Sequence, residues 1–209
     1  MPELQGFQPP LVAILRGLEP QRAATVGQLL FDAGFRILEV PLNRPGALDC
    51  ISRLAAIAPA DALIGGGTVL TRADVDGVRA AGGRLMVSPN CNPGVISHAV
   101  AAGLLVAPGI ATATEAFAAL DAGAHALKLF PAETLGVAGM KALISVLPPA
   151  TPMWPVGGVT PQSIAPWVRA GATGFGLGGQ LFQPGIDLDS LRLAAREFMA
   201  AWAASAKVE

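Results

Sequence analysis

The residue best suited to covalent chemistry is Lys128, which stands in the middle of an apolar run of strand length. Alternation along a strand places it on one face with Ala126 and Phe130, while Leu127 and Leu129 point to the other face. Removing an ammonium group from water is costly and lowers its pKa, and the neutral amine is a nucleophile toward carbonyl carbon. The run therefore indicates either an imine-forming lysine or a lysine at a strand edge whose charged end reaches water.

A carboxylate and a guanidinium accompany two earlier apolar runs. Glu39 lies inside residues 36–42, where burial would raise its pKa and suit it to proton transfer. Arg16 ends the first run, and its planar head can hold a carboxylate through two parallel hydrogen bonds. The alternative for Glu39 is a structural salt bridge with Arg16 or Lys128. For Arg16 it is a salt bridge at the rim of the fold.

Three loops supply groups that could hold a ligand. Thr68 follows three glycines, which let a ligand approach the backbone; its hydroxyl could instead stabilise a turn. Residues 155–161 and 174–180 are both glycine-rich and contain no lysine or arginine. This composition favours anion binding by backbone N–H groups, with tight ligand-free turns as the alternative. The candidate contacts in these two loops are Gly157, Gly158, Gly178 and Gly179.

Metal chemistry is not indicated by the sequence. The two histidines fall in different settings: His98 lies mid-helix, and His125 lies at the start of the lysine strand. No carboxylate cluster supplies an octahedral oxygen site. We therefore expect no metal and no cofactor, and we interpret both histidines as structural.

Strand-like and helical segments alternate along the whole chain. Eight apolar runs alternate with helical patterns. The first six runs end near residues 17, 42, 64, 89, 109 and 130. The remaining strands are predicted at residues 153–158 and 173–178, the glycines at 65–67 forming a turn after the third strand. The sixth helix is predicted over 137–146 and the last over 188–204. Eight such units in 209 residues predict a parallel α/β fold, namely a single-domain (β/α)8 TIM barrel over 1–209 with a short N-terminal arm.

An open doubly wound sheet is the alternative architecture. It would normally have fewer strands and carry a nucleotide-binding fingerprint, and Gly65-Gly66-Gly67 lacks the GxGxxG spacing. In a barrel the reactive groups lie at the carboxyl ends of the strands. That is where Arg16, Glu39 and Lys128 fall.

Composition narrows the classes of partner. The chain has a net charge of −1 and no basic cluster, which argues against nucleic acid or a membrane surface as a partner. Residues 85–114 contain no Asp, Glu, Lys or Arg, but prolines and glycines divide them into pieces too short to span a bilayer. The isolated Cys50 and Cys91 and the lack of a signal peptide predict a cytoplasmic protein.

Seven segments, in order along nearly the whole chain, resemble the 2-keto-3-deoxy-6-phosphogluconate/galactonate aldolases. They are Leu15-Arg16-Gly17, Leu38-Glu39-Val40-Pro41-Leu42-Asn43, Gly65-Gly66-Gly67-Thr68-Val69-Leu70, Ser88-Pro89-Asn90, Pro108-Gly109-Ile110-Ala111-Thr112-Ala113-Thr114-Glu115, Leu127-Lys128-Leu129-Phe130-Pro131-Ala132 and Val156-Gly157-Gly158-Val159. The resemblance implies a class I aldolase on a (β/α)8 barrel, usually a homotrimer. Such an enzyme cleaves a phosphorylated keto-deoxy sugar acid to pyruvate and glyceraldehyde 3-phosphate.

The resemblance also implies roles for individual residues. Lys128 would form the Schiff base and Glu39 would shuttle protons. Arg16 and Thr68 would hold the carboxylate on the pyruvate side. The pocket wall would include Pro89 and Phe130, and the phosphate would lie at Gly157, Gly158, Gly178 and Gly179.

Two positions bear on the substrate. The gluconate-type branch carries an arginine four residues after the glutamate, where this chain has Asn43, and Arg16 is present instead. This arrangement resembles the galactonate-type branch, although that branch usually has serine where this chain has Gly179. The alternatives are the gluconate epimer, a phosphosugar isomerase or epimerase, and a phosphate-binding barrel without catalysis.

Overall fold

A computed structural model describes residues 6–205, and strands alternate with helices through this part of the chain. The strands are β1 (Leu11–Ile14), β2 (Ile37–Pro41), β3 (Leu63–Gly67), β4 (Leu85–Val87), β5 (Leu105–Ala107), β6 (Gly109–Ile110), β7 (Leu127–Leu129), β8 (Met153–Pro155) and β9 (Phe175–Leu177). The helices are α1 (Pro20–Asp32), α2 (Ala47–Ile57), α3 (Arg72–Ala80), α4 (Pro93–Ala101), α5 (Ala113–Asp121), α6 (Ala132–Ile144), α7 (Ile164–Arg169) and α8 (Leu188–Ser205), with a 3-10 turn, Pro161–Ser163, before α7.

All paired strands run parallel and form two sheets. One has the order β5-β4-β3-β2-β1-β9 and the other the order β6-β7-β8. Only Pro108 separates β5 from β6, and the N–H of Lys128 donates to the Pro108 carbonyl at 2.9 Å. An isolated parallel bridge joins Val156, after β8, to Gly176 in β9. The prediction of an α/β fold with parallel strands is confirmed.

Apolar side chains pack on both faces of the strands. Leu127 and Leu129 belong to the larger cluster, together with residues of the helices, whereas Ala126 and Trp154 belong to a smaller cluster among the strands. Burial on both faces explains why the strands are continuous apolar runs in the sequence. The alternation predicted around Lys128 is confirmed.

The prediction of a glycine turn after the third strand is wrong, because Gly65 and Gly66 lie inside β3 and Gly67 ends it. Neighbouring elements approach the first two too closely for a side chain. A Cβ on Gly65 would lie 2.1 Å from the Leu85 carbonyl oxygen, and one on Gly66 would lie 2.4 Å from a Val78 methyl group. Close packing therefore favours glycine here, and a turn signal in the sequence does not distinguish this cause.

Two further boundaries differ from the prediction for local reasons. The predicted fifth strand is divided at Pro108, which has no N–H to give to a neighbouring strand. Helix α6 has an additional first piece from Ala132, and Gly136, with a non-helical φ of 67°, separates this piece from the one predicted to begin at Val137. None of the helices between residues 6 and 205 is sufficiently long and apolar to span a bilayer.

Candidate active site

Lys128 lies at the centre of β7, with its side chain turned toward the space among the strands. The residue is 7% exposed, and its Nζ lies 4.6 Å from the centroid of the Phe130 ring. Burial lowers the pKa of the Lys128 amine; Glu39 opposes this shift, and Arg16 adds to it. The amine therefore loses its proton more readily than a lysine at the surface.

Glu39 lies in β2 and shares a small cavity with Lys128. That cavity, of about 10 Å³, is also lined by apolar side chains, including Val87 and Trp154. Glu39 is 2% exposed, and its Oε2 has no hydrogen-bond partner. Burial raises its pKa to about 7 although Lys128 and Arg16 both act to lower it. The carboxyl group can therefore be either protonated or ionised near neutral pH.

Salt bridges do not account for these buried charges. Among the ion pairs formed within residues 6–205, none includes Glu39, Lys128 or Arg16. Arg16 instead donates from Nη1 to the Asn43 side-chain oxygen at 3.0 Å. The salt-bridge alternative raised by the sequence is thus not observed for either Glu39 or Arg16.

A larger cleft of about 660 Å³ adjoins the small cavity, because Ile14, Val156 and Gly176 line both. Six of the predicted site residues line this cleft: Arg16, Phe130, Gly157, Gly158, Gly178 and Gly179. The cleft therefore offers a guanidinium, an aromatic ring and two glycine loops beside the buried amine.

Thr68 and Pro89 line neither the cleft nor the small cavity. Thr68 follows β3 with φ of 54°, a left-handed conformation that is unusual for a β-branched residue. Such strain is concentrated at functional sites. Pro89 follows β4, and its carbonyl oxygen would lie 2.4 Å from a Cβ on Gly109. Both therefore remain at strand ends without direct contact to the cleft.

Sequence reasoning missed three charged residues near the cleft, one of which, Glu19, lines it just before α1. Arg44 lines it, and its position just after β2, beside Asn43, was a usable signal. Glu133 in the first turn of α6 packs against the first glycine loop: its Oε2 lies 2.6 Å from the site of a Cβ on Gly158. Nothing in the local sequence links Glu133 to that loop, because the contact crosses from α6 to the end of β8.

The histidines have structural partners, as predicted. His98 Nε2 lies 2.8 Å from Asp76, and His125 Nδ1 accepts a hydrogen bond from the Val106 N–H at 3.2 Å. In the part of the chain that the structure describes, no group of three or more His, Cys, Asp or Glu side chains could hold a metal ion.

A buried amine that shares a cavity with an unpaired carboxyl group, among the strands of a parallel α/β fold, is the arrangement of an enzyme that condenses lysine with a carbonyl substrate. Comparison with known proteins agrees with this class. Residues 7–192 match the family model described as KDPG and KHG aldolase. The chain belongs to this family, and it is an aldolase, a carbon–carbon lyase.

Individual relatives are similar over nearly the whole chain. The 2-dehydro-3-deoxy-6-phosphogalactonate aldolase of Escherichia coli (strain K12) is 44% identical, over 92% of this chain and 94% of its own. A structure described as native KDPGal superposes with a TM-score of 0.94 at 42% identity, covering 96% and 98% of the two chains. The structure of the KDPG aldolase of Legionella pneumophila, with pyruvate captured as a covalent carbinolamine intermediate, superposes with a TM-score of 0.82 at 26% identity. It covers 94% of this chain and 95% of its own.

Proposed function

We propose that this protein is a class I aldolase that cleaves 2-dehydro-3-deoxy-6-phosphogalactonate to pyruvate and glyceraldehyde 3-phosphate. The observation that carries the proposal is the buried Lys128 amine sharing one cavity with the unpaired Glu39 carboxyl group. The choice of the galactonate epimer is supported by the name of the 44% identical relative from Escherichia coli. It is also supported by Arg16, two residues after β1, with Asn43 as its partner.

The reaction begins when neutral Lys128 attacks the C2 carbonyl of the substrate. The resulting carbinolamine loses water to give an iminium ion, which is an electron sink. Removal of the C4 hydroxyl proton then breaks the C3–C4 bond, releases glyceraldehyde 3-phosphate and leaves the enamine of pyruvate on Lys128. Protonation at C3 and addition of water release pyruvate and restore the amine.

Glu39 is the group that moves protons in these steps, directly or through water. A pKa of about 7 allows it both to accept and to donate a proton near neutral pH. The cavity that it shares with Lys128, about 10 Å³, is close to the room that one water molecule needs. A relay between the two side chains therefore requires no rearrangement of the strands.

The two charged ends of the substrate, the carboxylate and the phosphate, bind to different residues of the site. Arg16 holds the carboxylate of the pyruvate half, and Phe130 forms part of the wall. Thr68 and Pro89 line neither cavity, so the structure adds no support to the contacts that the resemblance implies for them. Gly157, Gly158, Gly178 and Gly179 hold the phosphate through backbone N–H groups. The common cleft that Arg16, Phe130 and the four glycines line supports this division, and its 660 Å³ suits a small ligand.

The two sheets are best interpreted as one closed (β/α)8 barrel in a single domain. The hydrogen bond across Pro108 and the bridge between Val156 and Gly176 support closure. We also propose a homotrimer, which is the assembly that the resemblance to the KDPG and KHG aldolases implies. A cytoplasmic location is supported by the free thiols of Cys50 and Cys91.

The test compares cleavage of the two C4 epimers by the purified protein. Release of pyruvate from 2-dehydro-3-deoxy-6-phosphogalactonate should be faster than from 2-dehydro-3-deoxy-6-phosphogluconate at equal concentration. A higher kcat/KM for the gluconate epimer would overturn the substrate assignment and keep the reaction. No release of pyruvate from either would overturn the proposed function.

A further inference from the structure

Gly67, the last residue of β3, lies against the Glu39 carboxyl group. A Cβ built on Gly67 would stand 1.8 Å from Glu39 Oε2, 2.4 Å from Cδ and 2.6 Å from Oε1. All three distances are far below van der Waals contact, so the carboxyl group occupies the volume that any larger residue at this position would fill.

At the other two glycines of β3, different neighbours occupy the space that a side chain would need. Gly65 meets the main chain of Leu85 in β4, and Gly66 meets Val78 in α3 on the opposite face. Only Gly67 meets a candidate catalytic group. Each of the three consecutive glycines therefore leaves room for a different neighbour. Gly65 and Gly66 make room for the packing of the fold, whereas Gly67 makes room for a group of the candidate site.

The strand register explains why Glu39 reaches Gly67. Glu39 is paired with Gly65, and Gly67 is the next residue of β3 on the same face. The Glu39 side chain therefore leans one pleat toward the carboxyl end of the sheet, over the bare Cα of Gly67. That direction leads to the cavity that Lys128 lines.

We propose that Gly67 is a positioning residue: its lack of a side chain leaves the space in which the Glu39 carboxyl group stands beside Lys128. The kinetic part of this inference rests on the proposed aldolase function, whereas the contact itself can be tested by stability alone. A Cβ at position 67 forces Glu39 into another rotamer or shifts β3, since Glu39 Oε2 has no hydrogen bond to hold it in place.

The experiment is a cycle of Gly67→Ala, Glu39→Ala and the double variant, with Gly66→Ala as the matched control. We expect Gly67→Ala to lower kcat by roughly 100-fold, the scale of a lost acid–base group, while KM changes little. Gly66→Ala strains the same strand from its other face and should keep kcat within about threefold of the wild type.

Thermal unfolding supplies the second readout. Gly67→Ala should lower the Tm by roughly 5 °C in the wild type but by much less in the Glu39→Ala background, where no carboxyl group is displaced. If Gly67→Ala fails to fold while the double variant folds, the contact is likewise supported. The proposal would be overturned if Gly67→Ala lowered the Tm equally in both backgrounds, or if neither Gly67→Ala nor the double variant folded. A wild-type kcat for Gly67→Ala would also overturn it. Absence of activity in the wild type would instead overturn the aldolase function and leave the Tm comparison valid.

Discussion

Lys128 and Glu39 line the same small cavity without forming a salt bridge. Burial acts in opposite directions on the two groups, lowering the pKa of the amine and raising that of the carboxyl group. Each is therefore biased toward its neutral form, in which the amine can attack a carbonyl carbon and the carboxyl group can donate a proton. A tight ion pair would remove both capacities.

Lys128 should be the site of covalent trapping. Pyruvate with borohydride should inactivate the wild type and add the mass of the reduced adduct to the peptide that contains Lys128, as measured by mass spectrometry. Lys128→Met should lose both trapping and turnover. Lys141→Met is the control, because Lys141 is exposed on α6 and should leave both unchanged. An adduct on any other lysine of the wild type would contradict the assignment.

Glu39→Gln should separate imine formation from turnover. The amide keeps the shape of the side chain but cannot accept a proton, so kcat should fall by about 100-fold or more. Trapping of pyruvate on Lys128 should still go to completion over a longer time. The inflection near pH 7 in the kcat/KM profile of the wild type should disappear in the variant. A rate close to that of the wild type would remove Glu39 from the proton relay.

The same variant should change the pH dependence of stability. The pKa of Glu39 is raised from 4.5 to about 7 in the folded state, so between these values the folded protein binds more protons than the unfolded chain. The Glu39 contribution to the free energy of unfolding therefore becomes less favourable as the pH rises through this window, by at most about 3 kcal/mol. Denaturation should show that the free energy of unfolding of Glu39→Gln increases relative to that of the wild type as the pH rises from 4.5 to 7.

Glu115→Gln provides a control for that measurement, because the stability contribution of Glu115 changes with pH in the opposite direction. Hydrogen bonds from the Ala111 and Thr112 main-chain N–H groups lower the pKa of Glu115, which closes the capping box of α5. Its contribution to stability is present above its unfolded pKa and is lost as the pH falls. Glu115→Gln should therefore be less stable than the wild type at neutral pH, and this difference should narrow in acid. The same trend in both variants would contradict the burial argument for Glu39.

Gly179→Ser should tighten binding of the phosphorylated substrate. Nothing lies within 4 Å of a Cβ at this position, so a serine side chain fits without displacing a neighbour. One added hydrogen bond to a charged phosphate contributes about 1.5–3 kcal/mol, which corresponds to a fall in KM of roughly tenfold or more. Gly179→Ala fills the same space without a hydroxyl and should leave KM unchanged. Equal KM values for the two variants would show that position 179 does not face the phosphate.

The sequence by itself determined the local structure and the candidate amine. Apolar runs, caps and glycines specify alternating strands and helices through interactions between near neighbours, and the alternation around Lys128 places it on the face opposite Leu127 and Leu129. The pattern left open whether the amine is buried or reaches water at a strand edge, and the packing of β7 on both faces decided for burial.

Only the tertiary structure decided which distant groups meet. Glu39 shares a cavity with Lys128 and leans on Gly67, Arg16 binds Asn43, and Glu133 packs on Gly158, all across different elements. These contacts depend on strand register and on the order of strands in the sheet, which no local pattern records. For the same reason the glycines of β3 suggest a turn in the sequence, whereas in the fold they make room for Leu85, Val78 and the Glu39 carboxyl group.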